Sequence, residues 1–327
     1  MFHYLKGKKV LVCGDTGMIG RELSTMLLDN DAVVRVASLD EKERAPQGVE
    51  YMKADLTQFD ECLDACEGMD YVFNLTGVKG SPVTAKERVA TYFEMSVLMA
   101  INTLKAARLS NVERYMFTSS VGVYAHAPVF FEDDVESTFP SDNDWGNGWG
   151  KRIGEMHVEA YKREYGMKNI CIVRPANVYG PYDSFTPDCM VVPALIRRAC
   201  SGENPLVVWG DGTPIRDFIF CRDVARGMMI MMDKMPDKPV NLGSGTGVTI
   251  KEIAEYVCRH VDPSIELTFD TSKPLGDLKR LMDTKRAESY GFKPEITLDE
   301  GIRETVEWYR QNHEIADNRF NVFDKKG

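Results

Sequence analysis

The chain has 327 residues, of which 43% are hydrophobic and 28% charged, and its formal net charge is -10. This length can bury a large core, as two modest domains or as one cofactor domain with an appended lobe. The negative charge argues against a bulk binder of nucleic acid or of anionic membranes, because both need a basic face. No apolar stretch is long enough for a signal peptide or a membrane span, so we expect a cytoplasmic protein.

The eight cysteines are scattered along the chain. Cys62 and Cys66 lie close together, but no second pair or histidine cluster completes a metal site. We therefore predict buried, reduced thiols and no bound metal, which fits a cytoplasmic location.

In the first half, short β-branched runs alternate with longer helical patterns. Strands are predicted at Val10–Cys13, Val33–Ser38, Tyr71–Leu75, Arg114–Ser119 and Asn169–Arg174. Helices are predicted at Ile19–Asp29, Glu61–Cys66, Thr91–Leu109 and Lys151–Tyr165. This alternation predicts an α/β fold, a Rossmann-type doubly wound parallel sheet with helices on both faces.

After Pro175 the pattern changes to loops rich in Pro, Gly and Asp. Short helices are predicted at Val191–Ser201, Val224–Met232, Ile250–His260 and Leu298–Asn312. We predict one domain over residues 1–175 and a smaller, loop-built lobe over residues 176–327, partly interleaved with the first. Ligands of open parallel sheets bind beyond the carboxyl ends of the strands, so the cleft between the lobes is the expected site.

A glycine loop follows the first strand. Gly14 permits a tight turn, Gly17 lets the backbone approach a pyrophosphate, and Gly20 allows close packing of helix on strand. The free N–H groups at the start of the helix then face the phosphates. The remaining cofactor contacts predicted in this loop are Thr16, Met18 and Ile19.

The cofactor's adenosine end is expected after the second and third strands. Ser38 stands where an acidic residue would bind the ribose of NAD, and Asp40 follows two residues later. Lys42 and Arg44 lie close behind, so a serine with nearby cations could accept the 2′-phosphate of NADP. The choice between NAD and NADP stays open. Asp55–Leu56 is placed to meet the adenine, or else Asp55 is a solvated turn residue.

The sequence resembles the extended short-chain dehydrogenase/reductases that act on nucleotide sugars, an NAD-dependent epimerase/dehydratase family. In its second half it is similar to GDP-L-fucose synthases and their epimerase relatives. The resemblance runs over nearly the whole chain. It is carried by the glycine loop and by Asn74–Lys79, Thr118–Tyr124, Gly148–Arg152, Arg174–Pro181, Trp209–Gly212 and Ile215–Phe218.

The resemblance implies hydride transfer at a sugar carbon, often C4, of a nucleotide-diphosphate sugar. In the family a Tyr accepts the proton, a Lys four residues later lowers the pKa of that Tyr and holds the nicotinamide ribose, and a Ser or Thr bonds the reacting oxygen. The matching positions give Ser120 as the hydroxyl and Lys151 as the lysine. Leu75 and Lys79 match further cofactor contacts.

Asn147 occupies the position of the family's catalytic tyrosine. An asparagine has no titratable proton, so it can only hydrogen-bond a substrate hydroxyl or carbonyl. Asn147 is therefore either an introduced, inactivating substitution or a divergence in which Lys151, another side chain or water handles the proton.

Two further departures narrow the reaction. Val121–Gly122 stands where the family's 4,6-dehydratases carry Asp-Glu, and Gly122 and Met190 replace the Cys and His that fucose synthases use. The resemblance thus implies chemistry at one carbon, either C4 epimerisation or simple oxidation and reduction. The rival hypothesis is a non-catalytic sensor or scaffold that binds NAD(P) and a nucleotide sugar.

Substrate contacts are expected in the second lobe. By resemblance Asn177 meets the nucleotide diphosphate of a GDP- or UDP-linked hexose, and Val121 lies beside the sugar. Arg198, Arg216 and Arg280 are candidates for the pyrophosphate, because a guanidinium donates two parallel hydrogen bonds. Trp209 is either a wall for the base or part of the core.

The helices Thr91–Leu109 and Lys151–Tyr165 would, by analogy with the family, pair across a two-fold axis in a homodimer. The first of them carries apolar residues beyond a single stripe, as a dimer seam requires. A monomer that buries the same surface is the alternative.

Overall fold

The computed structural model describes residues 2–78, 82–187, 189–273 and 275–316. The strands are β1 (Lys9–Cys13), β2 (Val33–Ser38), β3 (Glu50–Lys53), β4 (Tyr71–Asn74), β5 (Arg114–Thr118), β6 (Val129–Phe130), β7 (Ile170–Pro175), β8 (Asn177–Tyr179), β9 (Leu206–Trp209), β10 (Ile215–Phe220), β11 (Val240–Leu242), β12 (Gly247–Thr249), β13 (Leu267–Asp270) and β14 (Lys279–Met282). The helices are α1 (Met18–Asp29), α2 (Phe59–Cys66), α3 (Pro82–Glu87), α4 (Val89–Leu109), α5 (Trp145–Tyr165), α6 (Val191–Cys200), α7 (Cys221–Lys234), α8 (Ile250–Val261), α9 (Lys285–Ser289) and α10 (Leu298–Ala316).

Seven parallel strands form the main sheet, in the order β11-β7-β5-β4-β1-β2-β3. Along β1 alternate side chains enter different apolar clusters, with Val10 and Val12 in one and Leu11 and Cys13 in the other. This follows because successive residues of a strand point to opposite faces, and here both faces are covered. The predicted Rossmann-type α/β fold is confirmed.

Helices cover each face of this sheet. α1 packs against α7 over the first cluster, and α4 packs against α2 and α5 over the second. In the part of the chain that is described, no helix has the length and apolar character needed to cross a bilayer.

The second half builds a smaller lobe but also completes the first. β12, β10, β14 and β6 form a separate sheet that β8 joins through β10, and β13 pairs with β9. In contrast, β11 is the edge strand of the main sheet and pairs with β7, and α7 packs on α1. The boundary near residue 175 stays a prediction, and residues on both sides of it share the main sheet.

α5 begins at Trp145, six residues before the predicted start at Lys151. The predicted start was wrong, and the segment before it carries three glycines, which are poor helix formers in isolation. In the structure they permit close packing: a Cβ on Gly148 would overlap the carbonyl oxygen of Gly122 and lie 2.8 Å from Cβ of Pro140. A Cβ on Gly150 would lie 2.7 Å from Cβ of Ser96 on α4. Asn147 and Lys151 therefore belong to one helix.

Candidate active site

The glycine loop forms a tight connection between β1 and α1. Gly14 has a φ of 79°, and a Cβ on Gly20 would lie only 2.5 Å from Cα of Asp15, so the first turn of α1 rests directly on the loop. Gly17 precedes the helix, and among the described residues no side chain caps its first N–H groups, which leaves donors for an anion. Met18 is almost fully buried and Ile19 packs against the core, so their main-chain N–H groups are what they offer a cofactor.

Thr16 of the glycine loop forms hydrogen bonds with residues at the end of β2. Its hydroxyl lies 2.8 Å from Oγ of Ser38 and donates to Oδ2 of Asp40 at 2.5 Å. Ser38 and Asp40 are both buried. The predicted ribose position therefore holds a carboxylate as well as a hydroxyl, and the loop fits the adenosine half of a dinucleotide.

The remaining predicted cofactor contacts divide into three cases. The amide of Leu75 donates to the main-chain oxygen of Cys13, and the carbonyl oxygen of Leu75 lies 3.3 Å from the position that a Cβ of Gly14 would occupy. Leu75 therefore borders the loop. Asp55 closes a local turn, accepting hydrogen bonds from the amide and hydroxyl of Thr57 at 3.1 and 2.7 Å. Leu56 is buried in the core. The contact of these two residues with the adenine stays a prediction. Lys79 lies outside the described residues.

Lys151 is buried at the carboxyl ends of β4 and β5. Its Nζ donates to the carbonyl oxygen of Thr76 at 2.7 Å and to that of Thr118 at 2.8 Å. Burial lowers the pKa of Lys151 to about 8, and the charge of Glu155 opposes that shift. The amine is thus fixed in place and is still mostly protonated at neutral pH.

Ser120 and Asn147 converge on Gly122. A Cβ on Gly122 would lie 3.5 Å from Oγ of Ser120 and 3.7 Å from Nδ2 of Asn147. The Ser120 hydroxyl also accepts from the Gly122 amide at 3.1 Å, and Val121 packs beside it against the core. Lys151 lies one turn along the same helix, so the structure brings Ser120, Asn147 and Lys151 to one region.

Arg216 and Arg280 are opposite each other on β10 and β14. Arg280 forms an ion pair with Asp144 at 2.9 Å, and Arg216 donates to the main-chain oxygen of Asp277 at 2.6 Å. Burial lowers the pKa of Arg216, and the charge of Arg280 lowers it further. Since Asp144 directly precedes α5, this pair of guanidiniums lies next to the Asn147 end of the site.

The other predicted substrate residues are more local. Nδ2 of Asn177 donates to the main-chain oxygen of Asp217 at 2.9 Å. Arg198 binds both carboxylate oxygens of Glu203 just beyond its own helix, so the structure does not join it to the Arg216–Arg280 pair, and its role stays a prediction. Trp209 is 59% exposed, with Nζ of Lys273 at 5.5 Å from its ring centre, so the alternative that it belongs to the core is wrong.

Sequence reasoning missed two acidic residues. Asp144 lies three residues before Asn147 and seven before Lys151, a helical spacing that could have found it had the glycine-rich segment been recognised as helix. Asp217 is almost fully buried and its carboxylate accepts main-chain N–H groups from Ser244, Gly245 and Met282. It ties β10 to the neighbouring loops, and no sequence signal marks that role.

Metal ligands are not assembled in the described parts of the chain, where no three His, Cys, Asp or Glu residues come together in a suitable group. The eight cysteines are free thiols, most of them buried.

Comparison with known proteins places these features in a family. Residues 10–243 match the family model described as the NAD dependent epimerase/dehydratase family. A GDP-L-fucose synthase from Sinorhizobium fredii is 29% identical, over 97% of this chain and 99% of that protein. The structure of an epimerase from Methanothermobacter thermautotrophicus is 26% identical, covers 96% of each chain and has a TM-score of 0.85. A UDP-glucose 4-epimerase from Thermus thermophilus, solved with NAD, is 25% identical over 92% of this chain and 99% of its own, with a TM-score of 0.76. The resemblance noted in the sequence is confirmed.

Proposed function

Since the chain belongs to the NAD-dependent epimerase/dehydratase family and is an NAD(P)-dependent sugar-nucleotide enzyme, we propose that it acts at C4 of a GDP- or UDP-linked hexose. It does so as an epimerase or as an oxidoreductase. The observation that carries this proposal is that Ser120 and Asn147 converge on Gly122, one helical turn from Lys151, whose amine bonds Thr118 at the carboxyl end of β5. Bound NAD(P) supplies the acceptor or donor of the hydride.

Each of these side chains can donate a hydrogen bond to a reacting oxygen. The Ser120 hydroxyl and the Asn147 amide bond and polarise a carbonyl, and the buried Lys151 ammonium adds positive charge nearby. Asn147 cannot accept a proton, and Lys151 is mostly an ammonium at neutral pH. The hydroxyl proton of an alcohol substrate therefore passes to water or to the minor neutral form of Lys151. The set therefore favours reduction of a keto sugar over oxidation of an alcohol.

The chemistry is confined to one carbon. Fucose synthases by resemblance use a Cys at the position of Gly122 and a His at that of Met190. Here Gly122, which has no side chain, lies between Ser120 and Asn147 at the position of that Cys. Met190 is partly exposed, and its thioether has no proton to exchange. We therefore expect no epimerisation at C3 or C5.

The test is turnover of defined sugars. GDP- and UDP-hexoses with NAD⁺ or NADP⁺, and 4-keto sugar nucleotides with NADH or NADPH, are incubated with the protein and with Asn147→Tyr. NMR of the products identifies the altered carbon. Conversion confined to C4 is expected, and failure of both proteins to convert any sugar would contradict the proposal.

A non-catalytic sensor is the second candidate, favoured by Asn147 itself. Its amide oxygen is buried and has no hydrogen-bond partner among the described residues, as in a site built to hold a ligand rather than to move a proton. A sensor binds NAD(P) and sugar nucleotide in calorimetry without hydride transfer. A change in absorbance at the reduced-nicotinamide band would rule it out.

We also propose a cytoplasmic homodimer joined through α4 and α5. The eight free thiols suit a reducing compartment. Exposed apolar side chains on the two helices include Leu98, Met156 and Tyr165, which a partner copy would cover. Light scattering should give twice the monomer mass, and Met156→Glu should halve it.

A further inference from the structure

Asp144 shares a helix face with the residues of the active site. Asp144 directly precedes α5, and Asn147 and Lys151 follow it at helical spacings of three and four residues, so all three side chains belong to one side of the helix and its start. Cβ of Asp144 lies 3.5 Å from the position that a Cβ of Gly122 would occupy, the same point on which Ser120 and Asn147 converge. The carboxylate therefore borders the space in which the proposed function places the reacting sugar.

The carboxylate of Asp144 is fixed at one oxygen only. Oδ2 forms the ion pair with Arg280 at 2.9 Å and lies 3.4 Å from the Ser141 hydroxyl. Oδ1 has no hydrogen-bond partner among the described residues, and the side chain is 30% exposed. A carboxylate held in this way keeps one oxygen available as an acceptor beside Gly122.

The amide oxygen of Asn147 is a second acceptor at the same place, buried and without a donor in the described structure. A reacting carbonyl needs donors, which Ser120 and Lys151 supply, so it leaves both acceptors unsatisfied. The hydroxyl groups on the carbons next to a reacting sugar carbon are the donors that a hexose adds.

We propose that Asp144 determines specificity for the sugar, its Oδ1 accepting a hydrogen bond from a hydroxyl next to the carbon that exchanges the hydride. This inference rests on the proposed function. A bond to an ionised acceptor is among the stronger hydrogen bonds, and a sugar that lacks the hydroxyl leaves the carboxylate desolvated and unpaired. The substrate class is thus a hexose that keeps a free hydroxyl beside the reacting carbon.

Recognition of the sugar and of the diphosphate is then divided between separate groups. Arg280 turns one edge of its guanidinium to Asp144, and the adjacent Arg216 is held by main-chain oxygens. The donors that remain on the two arginines suit phosphate oxygens. Loss of the Asp144 charge should therefore weaken binding of the sugar without weakening binding of the nucleoside diphosphate.

Calorimetry tests this division with GDP and GDP-mannose, and with UDP and UDP-glucose. The variants are Asp144→Asn, which keeps the size of the side chain, and Asp142→Asn, which makes the same charge change at an exposed position of the same short turn. We expect Asp144→Asn to weaken the nucleotide sugar that the wild type prefers by about tenfold. Its affinity for the matching nucleoside diphosphate should be unchanged or higher, and Asp142→Asn should resemble the wild type.

Equal weakening of nucleotide sugar and nucleoside diphosphate would mean that Asp144 only positions Arg280, and that overturns the inference. Unchanged binding of both ligands by Asp144→Asn overturns it as well. A wild-type protein that binds neither the diphosphates nor the sugars overturns the proposed function and the inference together, so the two failures are distinguishable.

Discussion

Lys151 lies one helical turn beyond Asn147 on the same face of α5, and its amine is fixed between the carbonyl oxygens of Thr76 and Thr118. Position 147 therefore lies one turn from a cation that two hydrogen bonds hold in place. A phenol at that position would have its ionised form stabilised by this charge. The helix thus keeps the geometry of a proton-transferring pair although one member is an amide.

Asn147→Tyr should raise the rate of hydride transfer. General acid–base catalysis contributes about 10² to 10⁴-fold, and we expect a gain within that range at neutral pH. The measurement is the absorbance of reduced nicotinamide with the sugar found in the turnover screen. Asn147→Phe adds the same ring without the hydroxyl and should give no gain; equal rates for the two variants would show that the phenol has no role.

The protonation of Lys151 should limit activity at high pH. Burial lowers the pKa of Lys151 to about 8, so the ammonium is mostly present at pH 7 and is lost as the pH rises through 8. The rate of keto-sugar reduction should fall by up to tenfold for each pH unit above that value. Lys151→Met should be slower by at least about 100-fold at pH 7 and lack this inflection. Lys162→Met, on the last turns of the same helix, serves as the control.

Asp15 should make the protein less stable as the pH rises. Its side chain is fully buried, and burial raises its pKa from 3.8 to about 7, against the bond from Ser24 and the charge of Arg21. The unfolded chain releases this proton first, so the free energy of unfolding decreases between about pH 4 and pH 7. The loss is at most about 4 kcal/mol.

Asp15→Asn keeps an acceptor for Ser24 but cannot ionise. In urea unfolding it should be more stable than the wild type at pH 8 and differ little at pH 5. Asp29→Asn, at the exposed end of the same helix, should show no such pH-dependent difference. A constant offset at both pH values would refute the titration of Asp15.

Asp40 should favour NAD over NADP. Its carboxylate is held beside the glycine loop by Thr16, where it can accept bonds from ribose hydroxyls but repels a 2′-phosphate. We expect NADH to bind about tenfold more tightly than NADPH. Asp40→Asn should narrow that ratio, while the adjacent Glu41→Gln should leave it unchanged; tighter NADPH binding by the wild type would assign the site to Lys42 and Arg44 instead.

The sheet and the glycine loop could be predicted from the sequence because their signals are local. The β-branched runs and the Gly14–Gly20 spacing each report on a single stretch of chain. The strand Val10–Cys13 was predicted correctly because a strand that is buried on both faces of a sheet is a continuous apolar run in the sequence.

The start of α5 could not be predicted, because its glycines are explained by partners distant in sequence. Gly148 meets Gly122, and Gly150 meets Ser96. The Asp144–Arg280 ion pair spans 136 positions and depends on the same misjudged helix. Tertiary packing overrode the local preference in both cases.

The position of β11 has a consequence for biosynthesis. The strand that finishes the main sheet beside β7 runs from Val240 to Leu242, far downstream of the other six. While the ribosome is still making residues 176–239, β7 is an unpaired outer edge open to pairing with other chains. The main sheet therefore cannot be completed until roughly three quarters of the chain has been synthesised. We expect fragments that end near residue 175 to aggregate.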